Sequence, residues 1–262
     1  MLRYKEKEDL EARFTEVDSV VERWRERITR VPSKIRGEFR ERLMISLIYH
    51  DAALEGDVLT YSEIKAAIDP TIISDSTLIP SYEHIKRYHE ATMFGERWAK
   101  ESSEPFSLET LRAIYALLAP EEREAGLPYR TENPLHRLYY HDISAPEHIE
   151  DKMSEFVEWL EVARERFAPP IELMADIHLR FMAIFPWAKQ SGRCARIASN
   201  LLLRQADYPI AVLHSIDRQA YYEALRSERD DLVSLYLEAV ETSAMSEIRV
   251  YDEAEEKARR AS

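Results

Sequence analysis

Residues 189–196, Lys-Gln-Ser-Gly-Arg-Cys-Ala-Arg, place several anion-holding groups within one short stretch. Arg193 and Arg196 are three residues apart, so on a helix their guanidiniums share one side. Gly192 lets another molecule approach the backbone, and Ser191 stands where an N-cap would open that helix. First-turn N–H groups lack intrahelical partners and direct partial positive charge outward. Phosphate is the anion such a site suits. Ordinary surface chemistry accounts for the same residues, and on spacing alone it is the commoner reading.

Two helices must position the loop. Leu173, Met174, Ile177, Phe181 and Ile184 recur at three- and four-residue spacing and predict a helix that Pro186 ends. Proline disfavours helical geometry in the residue before it, which predicts an extended Phe185 at the loop's mouth. From Arg193 to Ala206 helical spacing resumes through Ile197, Leu201 and Leu202.

Along its whole length the loop, Phe-Pro-Trp-Ala-Lys-Gln-Ser-Gly-Arg-Cys-Ala-Arg at 185–196, resembles the signature loop of the Fic (Fido) family, HPFxDGNGRxxR. Pro186, the aromatic Trp187, Gly192, Arg193 and Arg196 match. Phe185 stands at the family's histidine base and Lys189 at its metal-binding acid, while Gln190 and Ser191 replace glycine and asparagine. The resemblance runs from about Arg42 to Met245. Asp-Ala-Ala-Leu-Glu-Gly-Asp at 51–57 is similar to the family's inhibitory motif, (S/T)xxxE(G/N), with Asp51 at the Ser/Thr position. Tyr129 to Thr131, Leu138 to His141, Pro146 and Phe156 to Leu160 are similar to the segment carrying the family's flap and the helix after it. Ala206 to Pro209 and Arg218 to Leu225 continue the same order.

The resemblance implies an all-α Fic helical fold with a small β-hairpin flap, formed within Leu135 to His141. Leu138 and Tyr139 are then the flap positions that hold a protein target beside the loop. Glu55 is the inhibitory residue, pairing with Arg196 and blocking the seat of a nucleotide's terminal phosphate. The family's reaction transfers a nucleoside monophosphate, usually AMP from ATP, to a target hydroxyl. Its histidine takes the proton and its acid holds Mg²⁺.

Phe185 cannot accept a proton, and a missing positioned base costs about 10²–10⁴ in rate. Lys189 puts a cation where the cation's ligand should be. The sequence therefore reads as a degenerate member, a pseudoenzyme with no assigned catalytic residue and no metal ligand. Its nucleotide site comprises Lys189, Gln190, Ser191, Gly192, Arg193 and Arg196, for ATP or another nucleotide, and Mg²⁺ is not expected. Lys189 either substitutes for the metal's charge, giving anion binding indifferent to chelator, or is a solvated remnant. The alternative function is altered chemistry, a nucleotidyltransferase or de-AMPylating hydrolase using Glu55 in place of the histidine. A third reading is a structural or dimerising protein with a vestigial pocket.

Composition fits a helical globular chain of 262 residues with five glycines. One cysteine, Cys194, excludes an internal disulfide and suits a reducing interior. A formal net charge of −13 argues against nucleic-acid or anionic-membrane binding. No apolar run is long enough to span a bilayer and the N-terminus lacks a signal-peptide core, so the expected location is cytoplasmic.

In chain order, residues 1–40 read as an N-terminal helical arm, with Leu10, Phe14, Val17, Val20, Val21 and Trp24 near one face. That face packs on its own domain or serves a partner or homodimer. Residues 41–246 are the Fic-like domain, including the helix at 38–55 that delivers Glu55 to Gly56. Further helices are expected at 61–68, 80–101, 107–119 from a Ser107 cap, and 146–167. His84 and His89 lie five apart, a spacing that suits no zinc pair. His178 precedes Phe185 by seven residues, about 10 Å along a helix, too far to replace the base, and reads as a core residue. Residues 247–262 are a charged tail expected to fray.

Overall fold

The computed structural model describes residues 10–69, 79–134, 141–164 and 169–261. Among them the chain is all-α, with no strand. The hairpin expected within 135–141, and its positions Leu138 and Tyr139, lie outside the described residues but for His141.

Helix α1 (Leu10–Thr29) turns Val17, Val20, Val21 and Trp24 inward and packs along α10 (Arg229–Ala261). The arm therefore lies on its own chain. Helix α10 also corrects the expectation of a fraying tail, because it runs through Glu247 to Ala261. Trp24 Nε1 donates to Glu247 at 2.6 Å, Arg27 pairs with Asp252 and Glu255, and Tyr251 is buried edge-on against Phe39. Glu247, Asp252 and Glu255 thus have partners on α1, and Arg259 and Arg260 pair with acids one turn back on α10.

Helix α2 (Ser33–Glu55) stops at Gly56, which takes the left-handed conformation at φ 94°. Gly56 N–H bonds Ala53 O and Asp57 N–H bonds Ala52 O. Helix α3 (Tyr61–Ile68) opens on a Thr60–Glu63 capping box, and α5 (Leu108–Leu118) on a Ser107–Thr110 box. Between them lies α4 (Ile79–Glu101). A 3₁₀ turn at Pro146–His148 leads into α6 (Ile149–Arg164).

Helices α7 (Pro170–Ile184) and α8 (Ser191–Gln205) form the pair on either side of the loop. They separate two apolar cores. Ile177, Phe181, Ile184, Ile197 and Leu201 join the core shared with α4, α5 and α6. Ile171, Met174 and Leu203 join the core shared with α1, α9 (Arg218–Ala224) and α10. Each such buried side chain contributes about 1.5–3 kcal/mol, so the loop sits on a rigid mount. No helix among the described residues is long and apolar enough to cross a membrane.

Candidate functional site

The loop between α7 and α8 is bracketed by two non-glycine residues in the left-handed region, Phe185 at φ 51° and Gln190 at φ 65°. Phe185 is not extended. It closes α7 as a left-handed cap, donating its N–H to Phe181 O at 2.8 Å. Pro186 excludes right-handed helical geometry before it, and the buried phenyl ring, edge-on to His141 at 5.9 Å, holds the strained alternative in place.

Arg130 fastens the same end of the loop. Its Nε donates to Phe185 O at 2.7 Å, its Nη2 to Ile184 O at 3.3 Å and to Ser144 O, and its backbone N–H to Pro186 O at 2.9 Å. Trp187 is fully buried and stacked on Tyr115, ring centres 4.0 Å apart and planes within 4°. Ser191 is not an N-cap. It is the first residue of α8, and its hydroxyl turns inward, accepting from Trp187 N–H at 3.1 Å and donating to Trp187 O at 2.8 Å. Gln190 occupies the cap position. Cys194 is buried beside Leu111 O, and burial pushes its thiol up, away from reactivity.

At the other end of the loop the chemistry is ionic. Arg196 Nη2 donates to Glu55 Oε1 at 2.8 Å and its Nε to Asp51 Oδ1 at 2.5 Å. Arg193 Nε donates to Asp51 Oδ2 at 3.0 Å, its Nη2 to Asp57 Oδ2 at 2.7 Å, and its Nη1 to Gln190 Oε1 at 3.2 Å. A single carboxylate, Asp51, thus bridges both arginines. The three acids enter from the end of α2 and its capping turn, a placement that Gly56 makes possible. Burial opposes charge on Arg196, but Asp51, Tyr221 and Glu55 outweigh it and hold the guanidinium well above its ordinary range. Arg193 is raised for the same reason, burial again being offset by Asp51 and then Glu55.

Gly192 is where a ligand would touch the backbone, and Glu55 already does. A Cβ at this position would meet Glu55 Oε1 at 2.6 Å. A side chain here would have to displace the Glu55 carboxylate laid against the start of α8. Lys189 is exposed and makes no ion pair among the described residues.

Behind Arg196 runs a buried polar chain. Arg196 Nη1 reaches Tyr221 OH at 3.4 Å, and His178 Nε2 contacts the same hydroxyl at 3.0 Å. His178 Nδ1 lies 2.9 Å from Ser199 Oγ and 3.2 Å from Tyr236 OH. Desolvation first, then Arg196 and His141, lower His178 to about 3, so it stays neutral. Sequence reasoning missed Asp57, Arg130 and Tyr221, and treated Asp51 only as a mismatch. Asp57 carried a legible signal, an acid one residue beyond a left-handed cap. The two others sit far away in sequence, within the segments Tyr129 to Thr131 and Arg218 to Leu225 noted for the resemblance but given no role there.

A groove of about 330 Å³ opens beside the ionic cluster, bounded by Asp51, Asp57, Leu59, His84, Tyr88 and Arg193. Among the described residues no group of three or more His, Cys, Asp or Glu side chains converges as a metal site. Asp51, Asp57 and Glu55 are all engaged by Arg193 and Arg196, and Lys189 is the exposed charge of the loop.

Residues 105–203 match the model of the Fic/DOC family. The protein adenylyltransferase Fic of Nematostella vectensis is 28% identical over 180 residues, covering 68% of this chain and 42% of that protein. The protein adenylyltransferase fic-1 of Caenorhabditis elegans is 24% identical over 182 residues, 68% of this chain and 35% of that protein. The chain thus spans about two fifths or less of the length of these curated relatives. In structure, a Fic domain containing signaling protein from Bacteroides thetaiotaomicron superposes with a TM-score of 0.79 at 19% identity, covering 90% of this chain and 97% of that one. Fic-1 from C. elegans gives 0.74 at 18% identity, covering 92% and 71%.

Proposed function

Given that this chain is a Fic/Fido domain protein, its family match falling at residues 105–203, we propose that its loop binds the phosphate of a nucleotide and that α2 competes for the same seat. The observation that carries this reading is Glu55. Its carboxylate lies 2.8 Å from Arg196 Nη2 and against Gly192, at the start of a helix, where an anion would sit. An internal carboxylate in that place is a built-in substitute for the ligand.

On this reading the protein does not run general-base AMP transfer. Phe185 is fully buried and carries no proton acceptor, and His178, held among Tyr221, Ser199 and Tyr236, has its ring nitrogens engaged. No step is derived through Mg²⁺. What the residues do is bind and orient: Arg196 and Arg193 supply charge, first-turn N–H groups supply donors, and Gln190 steadies Arg193. Lys189 adds a solvent-facing cation.

The test is calorimetric titration of ATP, ADP and AMP, with Mg²⁺ and with chelator. The wild type binds weakly, Glu55→Gly binds at least tenfold more tightly whether or not Mg²⁺ is present, and Arg196→Ala does not bind. Failure of Glu55→Gly to bind any of the three overturns the reading.

The names of the relatives favour a second reading, in which the chain transfers or removes AMP on a protein target. Glu55 would then orient a water or hydroxyl. Labelled nucleotide separates the two: turnover by wild type or Glu55→Gly that Glu55→Gln alters supports an enzyme, and binding without turnover supports a regulatory module.

A further inference from the structure

Asp51 distinguishes this site from one guarded by Glu55 alone. Its carboxylate takes the Nε edge of both Arg196 and Arg193, at 2.5 and 3.0 Å. Asp51 is 3% exposed, whereas Asp57 is 60% exposed at its side chain and Glu55 12%. The three acids therefore differ in kind. Glu55 and Asp57 pair with the outer Nη2 atoms, where an entering phosphate competes with them. Asp51 pairs with the inner edges and lines the groove together with Tyr88 of α4. A ligand that displaces the outer acids leaves Asp51 in place.

We propose that Asp51 is a resident counter-ion that sets the charge of the ligand, selecting a phosphomonoester dianion over a triphosphate. The inference rests on the phosphate-binding reading above. With Glu55 and Asp57 displaced, two guanidiniums face one carboxylate, one net positive charge, and the exposed Lys189 adds a second from the loop. That balance matches a group carrying two negative charges. Each further charge on the ligand is repelled by Asp51 from within the screening distance of roughly 8–10 Å, inside a partly desolvated site where Coulomb terms exceed those in water. The guanidiniums, with their inner edges already filled, have no remaining face on which to compensate.

The experiment is a charge ladder in chelator at pH 7.5, titrating AMP, ADP and ATP into Glu55→Gly and into Glu55→Gly/Asp51→Asn. The first variant binds AMP at least as tightly as ATP. The second gains for every ligand, about tenfold for AMP and about a hundredfold for ATP, so the order inverts. Equal gains for AMP and ATP, or uniform weakening, overturn the proposal while leaving the phosphate site standing. No binding by either variant overturns both. Should the double variant fail to fold by circular dichroism, the ladder on Glu55→Gly decides alone, and ATP binding there more than tenfold tighter than AMP refutes the assignment.

Discussion

The two ends of the loop between α7 and α8 are built from opposite materials. From Phe185 to Trp187 it is apolar core, with both aromatic rings fully buried and Arg130 holding the backbone through its carbonyls. From Gln190 to Arg196 it is an ion cluster, two guanidiniums against three carboxylates. The same dozen residues therefore contain one end that chemistry has left to packing and another that packing alone cannot hold. A catalytic base needs exposure and a titrating atom, and the first end offers neither. On the proposed reading an anion site needs fixed donors and a removable competitor, the parts given to the two arginines and to Glu55.

The sharpest way to break this contrast is to remove a partner from the ionic end. Arg196→Met leaves Asp51 buried with only Arg193 on one oxygen, and takes from Glu55 its guanidinium. Losing one member of a buried pair costs about 3–5 kcal/mol, read as a fall in the midpoint of urea unfolding with unchanged slope. A loss under 1 kcal/mol means the cluster is a solvated surface feature, and the contrast collapses.

The buried chain behind Arg196 gives a second, pH-dependent test. His178 sits at about 3 in the folded chain, below the 6.5 of an unperturbed histidine. Between those values the unfolded chain binds the extra proton, so stability is complete above about pH 6.5 and is lost as pH falls toward 3. The loss approaches about 1.4 kcal/mol per pH unit inside that window. His178→Gln removes this slope, and the difference between its unfolding curve and that of the wild type isolates the effect from other titrating groups. Parallel curves between pH 6.5 and 4 would falsify the assignment of a neutral, buried His178.

Much of the scaffold was legible because periodicity reports burial directly. The 173–184 and 197–202 spacings marked α7 and α8, and Ser107 marked the start of α5. What escaped reading were contacts between distant segments. Nothing in residues 247–261 announces that Arg27 and Trp24 wait alongside, so a charged stretch read as loose is a helix. Phe185 followed the rule for residues before proline only in avoiding the right-handed helix, because its ring needed the core more than its backbone needed an extended well. At the site, the pairing of Glu55 with Arg196 was expected from the family resemblance, not from composition or spacing. The bridging role of Asp51 was not expected at all, since the position was weighed against a pattern instead of against the two arginines it faces.

At the apolar end, Phe185→His asks whether the base can simply be restored. The imidazole would replace a fully buried ring and bring polar nitrogens into a site that His141 faces edge-on. Such a group costs about 1–3 kcal/mol when its hydrogen bonds go unmade. Labelled ATP then shows no transfer by this variant, because Glu55 still covers Gly192. A gain of transfer activity in Phe185→His alone would show that the two ends act as one site, contrary to the division drawn here.

The smallest expected effect tests what keeps Glu55 in place. The carbonyl of Leu54, the residue before it, accepts from Arg218 Nε at 3.0 Å and from Tyr222 OH at 3.1 Å. These donors belong to α9, outside the loop, and they satisfy a carbonyl in the last turn of α2 that the helix itself cannot. Tyr222→Phe removes one donor and retains the ring, costing about 1 kcal/mol and leaving Arg218 to hold the carbonyl. If α9 positions the inhibitory carboxylate, phosphate affinity rises several-fold in Tyr222→Phe, and Tyr222→Phe adds nothing in the Glu55→Gly background. Affinity that rises equally in both backgrounds means Tyr222 acts on the fold and not on Glu55. The ionic end would then be held by its own charges alone.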